Sequence, residues 1–375
     1  DDAGPRARRF AFRAGESPAL GLDRFPKSRF TKGPQSTEHP DMGLTSVLVV
    51  GCGSIGERHL RCFQRTGRAQ VTACDLNPDL RQRMNATYGV PAVADAGTAI
   101  RSGDFEAAVI CTPAHAHVPL ATAALDAGMH VLIEKPLSTS LAGVDGLIAA
   151  RDRSGRHAAV AYVYHVFPFL AAARDFLARG EFGPVLQVVS SSGQCFPQFR
   201  PAYREIYYRD RATGGGAIQD ALTHVVNWVE SVVGPADRVH CDCAHLALEG
   251  VEVEDTVHVS ARHGRVLASY ALNQFQPPNE NAIQLNCAGG SVRIELHRQR
   301  WGVFTAGAPD WTWHDAPVPE RDSHFVAQAN AFLDQVAGQP PQLCSLEAAA
   351  QTLRFNLAAL ASAERGVTVE TAGVA

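Results

Sequence analysis

A glycine-rich turn that directly follows a short apolar strand constrains the fold most strongly. Val47 to Val50 is a β-branched and aliphatic run, typical of a parallel strand covered on both faces. The next six residues form a complete G-x-G-x-x-G pattern. Gly51 permits the tight turn, Gly53 lets a pyrophosphate approach the backbone, and Gly56 lets the following helix pack against the strand. That helix starts near Ser54 and Ile55, whose N–H groups are expected to face the pyrophosphate.

The glycine pattern alone also fits a strand-to-helix turn without a ligand. A second predicted strand supports the dinucleotide interpretation, because it ends at Asp75. This is roughly 20 residues after the glycines, where a Rossmann unit places the acid that binds the adenosine ribose. Asp75 is followed by Leu76 and Asn77, with no adjacent arginine, so it would repel a 2′-phosphate. We therefore expect NAD as the cofactor, with NADP less favoured.

The length of 375 residues favours two domains, since a single core usually stops growing below that size. We predict a dinucleotide-binding domain over residues 43–164 and a substrate-binding and oligomerisation domain over 165–375. A formal charge of -4 and the lack of a basic tract argue against nucleic-acid binding. The nine cysteines are scattered and are interpreted as buried thiols in a reducing compartment. Cys241 and Cys243 are not matched by a second pair of cysteines that could complete a metal-ligand set, so no metal site is predicted.

Residues 1–42 are predicted to form a disordered N-terminal extension, rich in Arg, Pro and Gly and without hydrophobic periodicity. Met42 directly precedes the first strand, so this arm is interpreted as a non-native or upstream-translated leader. Arg8-Arg9 is weakly similar to a twin-arginine signal, but no apolar segment follows it, and export is not expected. The most apolar stretch, 158–173, is interrupted by His165 and Pro168, so no membrane span is predicted. The expected location is the cytoplasm.

Strands and helices alternate through the first part of the chain, which predicts a doubly wound parallel sheet. Longer consecutive strands from residue 185 onward predict an open, mainly antiparallel sheet, completed as an α+β domain by helices at 322–337 and 346–365. One strand of the parallel sheet ends in Glu134-Lys135-Pro136. A lone lysine at a strand end is usually a solvated residue. Here it lies at the sheet edge where ligands bind in doubly wound folds.

A third informative stretch begins with Gly214-Gly215-Gly216 and leads into a predicted helix that carries Asp220 and His224. Residues four apart project from one helix face. The carboxylate could therefore orient the ring, and we expect His224 to keep a pKa near working pH for acid/base chemistry. The alternative is an ordinary structural histidine. An insert at residues 196–213, rich in Tyr and Arg, is either a structured surface loop or a lid over a sugar.

Together, the glycine turn, Thr112-Pro113 with His117, Glu134-Lys135-Pro136 and the Asp220/His224 pair resemble the Gfo/Idh/MocA family of nicotinamide-dependent oxidoreductases. The resemblance covers nearly everything after Met42. It implies a Rossmann domain joined to an α/β domain with an open sheet, and hydride transfer at a secondary alcohol of a sugar, cyclitol or related polyol. It also implies a homodimer or homotetramer formed through the C-terminal sheet.

The resemblance further implies a role for each matching residue. Lys135 would hold the reacting hydroxyl, His224 would be the general acid/base, and Asp220 would bind substrate and tune the pair. Around the nicotinamide and its ribose we expect Thr112, Pro113, His117, Glu134 and Lys135. Weaker candidates for substrate binding, at predicted strand ends and in the insert, are Tyr164, His165, Tyr208, Arg209 and Gln276.

Two other functions remain open at this point. Some relatives oxidise a glycoside transiently, eliminate the aglycone and reduce the sugar again, so a redox-assisted glycosidase with tightly bound NAD is one alternative. A non-catalytic NAD-binding sensor is the other, and it is less favoured because lysine, aspartate and histidine are all present.

Overall fold

Two β-sheets organise the part of the chain described by the structure, a computed structural model covering residues 43–374. The predicted N-terminal extension, residues 1–42, lies outside the described residues. The strands are β1 Thr45–Val50, β2 Ala69–Cys74, β3 Ala92–Val93, β4 Ala107–Ile110, β5 His130–Ile133, β6 Ala158–Val160, β7 Val185–Gly193, β8 Arg238–Ala244, β9 Thr256–His263, β10 Val266–Asn273, β11 Glu280–Cys287, β12 Gly290–Glu295, β13 Arg300–Thr305, β14 Thr312–Asp315 and β15 Val369–Glu370. The helices are α1 Ser54–Arg65, α2 Pro78–Tyr88, α3 Ala96–Arg101, α4 His117–Asp126, α5 Val144–Ser154, α6 Pro168–Ala178, α7 Phe196–Phe199, α8 Thr223–Val233, α9 Ser323–Val336 and α10 Leu346–Arg365.

The first sheet has six parallel strands in the order β3-β2-β1-β4-β5-β6. Its strands are buried on both faces, with Leu60 and Phe63 of α1 in the core on one side and Leu125 and Leu147 of α4 and α5 on the other. This confirms the predicted doubly wound sheet. The strand order reverses between β1 and β4, and such a switch point opens a crevice at the carboxyl ends of the strands.

The second sheet has nine strands in the order β14-β13-β12-β11-β7-β10-β9-β8-β15. It is mainly antiparallel, as predicted, although β7 and β10 pair in parallel. One face packs on α8 and α10 through a core that contains Trp228, Tyr270 and Phe355. The edge strands β14 and β15 were not predicted, since four and two residues are too few to show alternation.

The two C-terminal helices connect the sheets. Helix α10 begins at the N-cap Ser345, whose hydroxyl accepts a hydrogen bond from Ala348 N at 3.2 Å. Its Leu353 lies in the core of the first sheet, and its Phe355 lies in the core of the second. Helix α9, predicted to complete the second domain, instead packs its Phe332 edge-on against Phe63 of α1. The boundary between two domains at residues 164 and 165 stays a prediction. In the described part of the chain, no helix combines the length and apolar character needed to cross a bilayer.

Candidate active site

A cavity of about 1020 Å³ opens at the carboxyl ends of the parallel strands. It extends from the residues that follow β2 and β3, past the glycine turn after β1, to the residues that follow β4 and β5. The sequence-predicted residues that line it are Gly51, Gly53, Ser54, Ile55, Asp75, Thr112, Pro113, His117, Glu134, Lys135 and His224. The crevice expected from the strand order is therefore bordered by residues from both parts of the chain.

The three glycines of the turn meet three different steric environments. Gly51 has φ +91°, and a Cβ there would lie 2.7 Å from the carbonyl oxygen of Cys111. A Cβ on Gly56 would lie 1.7 Å from the carbonyl oxygen of Gly51, so the helix could not pack this closely. A Cβ on Gly53 would meet no atom within 4 Å. The fold does not need glycine there, but the open space beside the first N–H groups of α1 fits a pyrophosphate.

Asp75 lies on the cavity wall directly after β2. Its Oδ2 accepts a hydrogen bond from Cys52 N at 2.7 Å, and its Oδ1 accepts one from Asn77 N at 2.8 Å. The nearby Arg81 donates through Nη1 to the carbonyl oxygens of Asp75 and Leu76, at 2.7 and 2.8 Å. These bonds hold the carboxylate beside the glycine turn and direct the arginine to the backbone. Together with the space at Gly53, this arrangement fits a bound dinucleotide.

At the other end of the cavity, three side chains meet around the carboxylate of Asp220. Lys135 donates through Nζ to Asp220 Oδ1 at 3.0 Å and to the Asp220 carbonyl oxygen at 2.8 Å. The hydroxyl of Tyr207 donates to Oδ1 at 2.5 Å, and Arg200 donates through Nη1 to Oδ2 at 2.6 Å. The peptide between Lys135 and Pro136 is cis. The aspartate is 1% exposed at its side chain, whereas Arg200 is 43% exposed and lines the cavity.

These contacts set the charge of each group in the cluster. Burial opposes ionisation of Asp220, but Arg200 and Lys135 outweigh it and lower the pKa of this carboxyl below its usual range. Burial likewise opposes the charged form of Lys135, yet the adjacent Asp220 raises its pKa. The pKa of Arg200 is also raised, chiefly by Asp220. Burial and the aspartate raise the pKa of Tyr207 to about 12. At neutral pH the cluster therefore contains two cations, one anion and a protonated phenol.

His224 lies beside this cluster, held between two tyrosine rings. Tyr164 stacks on it with ring centroids 5.2 Å apart, and Tyr162 meets it edge-on at 5.8 Å. Its Nδ1 is buried and has no hydrogen-bond partner among residues 43–374. Burial and the neighbouring Lys135 lower the pKa of His224 to about 3. The expectation of a pKa near working pH is therefore wrong, and the ring is neutral at pH 7.

The expected pairing of Asp220 with His224 also differs from the structure. Residues Ile218–Leu222 form a π-helical turn, and the α-helix begins only at Thr223. A π turn has a wider hydrogen-bond spacing than an α-helix, so residues four apart no longer lie directly above each other. The Asp220 carboxylate consequently bonds to Lys135, Tyr207 and Arg200 instead of orienting the imidazole. Such turns occur frequently at functional sites.

Buried hydrogen bonds fix the strand ends that border the cavity. The two ring nitrogens of His117 lie 2.8 Å from the carbonyl oxygen of Thr112 and 2.9 Å from that of Pro136, which joins the segments after β4 and β5. Glu134 turns both oxygens into the protein, with Oε1 2.7 Å from His59 Nε2 and Oε2 accepting from Lys135 N at 2.9 Å. Burial opposes ionisation of Glu134, but His59 reverses this effect and lowers its pKa.

The five weaker substrate candidates do not line the cavity. Tyr164 stacks on His224, and the hydroxyl of Tyr208 is buried against Gln274. A ring nitrogen of His165 lies 2.8 Å from Asn227 Oδ1. Arg209 is exposed to solvent, and Gln276 closes the turn after β10 by donating to the Pro278 carbonyl oxygen.

Two residues that the sequence did not single out as substrate ligands, Arg200 and Tyr207, line the cavity instead. The only sequence signal for them was the abundance of tyrosine and arginine in the insert. Composition indicates that such side chains are present, but it does not tell which of two neighbouring tyrosines faces inward.

Comparison with known proteins agrees with this architecture. The family described as "Oxidoreductase family, NAD-binding Rossmann fold" matches residues 45–162, and the Gfo/Idh/MocA C-terminal domain matches residues 170–293. The chain belongs to the Gfo/Idh/MocA family of oxidoreductases, and its first sheet is the NAD-binding Rossmann domain of that family.

Individual relatives are distant. Levoglucosan dehydrogenase of Pseudarthrobacter phenanthrenivorans is 27% identical over 52% of this chain and 53% of its own length. Inositol 2-dehydrogenase of Ralstonia nicotianae is 26% identical over 78% of this chain and 86% of its own length. A solved structure of levoglucosan dehydrogenase with NADH and levoglucosan superimposes with a TM-score of 0.77, at 20% identity, covering 87% of this chain and 99% of that protein. This chain thus spans about half the length of the levoglucosan dehydrogenase that it matches in sequence. At 20% identity, the likeness to the solved structure concerns the fold alone.

Proposed function

We propose that this protein is an NAD-dependent dehydrogenase that transfers hydride between nicotinamide and a secondary alcohol of a sugar, cyclitol or related polyol. One observation carries the proposal. Lys135, at the end of β5, and His224, from the second part of the chain, line the same cavity as the glycine turn. Two relatives named as levoglucosan and inositol dehydrogenases support the substrate class.

The residues of the cluster have complementary roles in this reaction. When bound, NAD supplies the hydride acceptor. Lys135, kept cationic by Asp220, donates a hydrogen bond to the alcohol oxygen and stabilises the negative charge that develops there. His224 lines the same cavity with a neutral ring, so it can accept the hydroxyl proton. Asp220 holds the ammonium group in place through its carboxylate and its backbone oxygen.

Asp75 supports NAD in preference to NADP. Its carboxylate is fixed after β2 by two backbone N–H groups, where it can accept hydrogen bonds from the ribose hydroxyls. A 2′-phosphate at the same place would meet a like charge. The guanidinium of Arg81 is already directed to two carbonyl oxygens. The redox-assisted glycosidase and the sensor are not proposed, because no contact in the cavity favours either one.

The test is a screen of the purified protein with NAD and NADP against sugars, cyclitols, sugar acids and glycosides, following absorbance of the reduced nicotinamide. Lys135→Met and His224→Asn are each expected to lower kcat by roughly 10²- to 10⁴-fold. NADH binding, measured by fluorescence, should persist in both variants and would show that they are folded. Full activity in both variants would contradict the assigned roles, and failure of the wild type to bind NADH would end the proposal.

Assembly through the nine-stranded sheet is part of the same proposal. Val189 and Leu267, on adjacent strands β7 and β10, are 39% and 53% exposed on the face opposite α8 and α10. Burying that face against a second copy would produce a homodimer or homotetramer. Light scattering after size exclusion should give a multiple of the chain mass. Leu267→Glu should shift the protein toward monomer, and a monomeric wild type would contradict this part of the proposal.

A further inference from the structure

Arg200 brings a second cation to an aspartate whose charge is already balanced. The single negative charge of Asp220 faces Lys135 at 3.0 Å and Arg200 at 2.6 Å. Glu134 does not supply the missing anion on the cavity side, because its oxygens turn to His59 Nε2 and to Lys135 N. Asp75 and Asp95 follow β2 and β3, toward the opposite edge of the sheet from β5. The positive charge of the Arg200 guanidinium is therefore not fully neutralised by the protein and can attract an anionic ligand.

Arg200 also has hydrogen-bond donors to offer. Among residues 43–374, its guanidinium donates through Nη1 to Asp220 Oδ2 and lies beside the Tyr207 hydroxyl, so at least three of its five N–H donors have no acceptor. A guanidinium carries five N–H donors in a planar fork, a shape that matches the two oxygens of a carboxylate. The side chain is 43% exposed and lines the cavity, so these donors are accessible to a small molecule.

The position of Arg200 is fixed before any ligand arrives. Its guanidinium lies 5.2 Å from the centre of the Phe196 ring, and Phe196 is buried against Tyr203 and Tyr208. Asp220 holds the other side of the group. A cation held on two sides loses little conformational freedom when it binds a ligand, which favours affinity.

The surrounding wall favours an anion with one charge. Apart from Arg200, the part of the insert that borders the cavity is mostly apolar, with Phe199, Pro201, Ala202 and Ile206. Tyr207 donates its hydroxyl to Asp220 and stays protonated, because its pKa is raised to about 12. One cation on an apolar wall matches a carboxylate better than a doubly charged phosphate, which needs more donors.

We infer that the substrate is a sugar acid or a carboxylated polyol, and that Arg200 binds its carboxylate next to the alcohol held by Lys135. This inference rests on the proposed function and narrows its substrate class. Arg200 and Lys135 bond to opposite oxygens of one Asp220 carboxylate, so a molecule the size of a hexuronic acid can reach both.

The experiment compares matched substrates with the full chain and NAD: glucuronate, glucose and glucose 6-phosphate, and the corresponding galactose set. The wild type should prefer the acids in kcat/KM. Arg200→Gln should lower the ratio of kcat/KM for acid over neutral sugar by roughly 10- to 100-fold, mainly through KM. Arg200→Lys, which keeps the charge but loses the fork, should give a smaller loss. Arg204→Gln is the matched control, because Arg204 lies on the same insert but bonds to Glu249 and covers Tyr203.

A binding measurement separates this inference from the proposed function. Glucuronate or galacturonate, added with NADH, should raise the Tm of the wild type and of Arg204→Gln but not of Arg200→Gln. An Arg200-dependent rise in Tm supports the carboxylate site even if no compound in the panel reduces NAD. Oxidation of neutral sugars without preference for acids, or an equal loss for both in Arg200→Gln, overturns the inference and leaves the proposed function standing. Preference for the phosphates overturns it as well.

Discussion

Replacing Glu230 with glutamine is expected to remove part of the pH dependence of stability. Glu230 lies on α8 and faces α10. Thr352 Oγ1 of α10 donates to its Oε2 at 2.7 Å, and Ala236 N, in the segment after α8, donates to its Oε1 at 3.3 Å. Burial outweighs these bonds and raises the pKa of Glu230 from 4.5 to about 7. The protonated acid can donate to Thr352 and accept from Ala236, and a glutamine amide can make the same two bonds. The variant thus mimics the neutral form.

The sign and size of the effect follow from linkage between protonation and folding. The pKa is higher in the folded state, so the contribution of Glu230 is fully present below pH 4.5 and is lost as the pH rises through about 7. A rise of the pKa from 4.5 to about 7, at about 1.4 kcal/mol for each pH unit, corresponds to about 3.5 kcal/mol. Glu230→Gln should match the wild type in acid and exceed its free energy of unfolding by about 3.5 kcal/mol in mild alkali.

Urea denaturation at about pH 4.5 and about pH 8.5 measures this difference. Glu364→Gln is the matched control, because Glu364 is an exposed glutamate on α10 and the substitution removes the same charge. The control should track the wild type within about 0.5 kcal/mol at both pH values. If Glu230→Gln and Glu364→Gln change in parallel with pH, Glu230 ionises as it does in the unfolded chain, and the reasoning from burial is refuted.

Three further predictions concern the cavity. Gly53→Ala should change the free energy of unfolding by less than about 1 kcal/mol, since its Cβ meets only open space. It should weaken NADH binding, measured by fluorescence, at least about tenfold, and equal affinity would contradict the assignment of this space to the pyrophosphate. Because the pKa of His224 is lowered to about 3 and that of Lys135 is raised, kcat/KM should show no inflection near pH 6.5, and an inflection there would contradict the neutral buried ring. Asp75→Ser should raise the use of NADP relative to NAD by about tenfold in steady-state assays, whereas an unchanged ratio would show that Asp75 does not select the cofactor.

Local pattern was sufficient to predict most of the fold. The apolar run before Gly51 and the periodicity of α10 are signals that neighbouring residues carry by themselves. The packing of α9 on α1 was not predictable in the same way. Periodicity tells that Phe332 is buried, but it does not tell which of two sheets it is buried against.

The candidate site was predictable where topology gives positions directly. Residues that end parallel strands share one edge of a sheet, and Asp75, Thr112 and Lys135 line the cavity for that reason. Position was not predictable where it depends on an irregular backbone. In the short turns of the insert, Tyr207 faces the cavity and Tyr208 is buried in an aromatic cluster, although they are adjacent. The low pKa of His224 depends on burial and on Lys135, which lies far away in the sequence.

The convergence of Lys135, Arg200 and Tyr207 on one carboxylate links the insert to the strand that carries the lysine. The insert donates two hydrogen bonds to this aspartate, one from Arg200 and one from Tyr207. A loop exchanged for residues 196–213 would therefore have to supply two donors again, because the buried Asp220 would otherwise keep only Lys135 as a side-chain partner. A designer who wanted a differently shaped cavity would keep these two donors and vary the apolar residues of the insert that line it, namely Phe199, Pro201, Ala202 and Ile206.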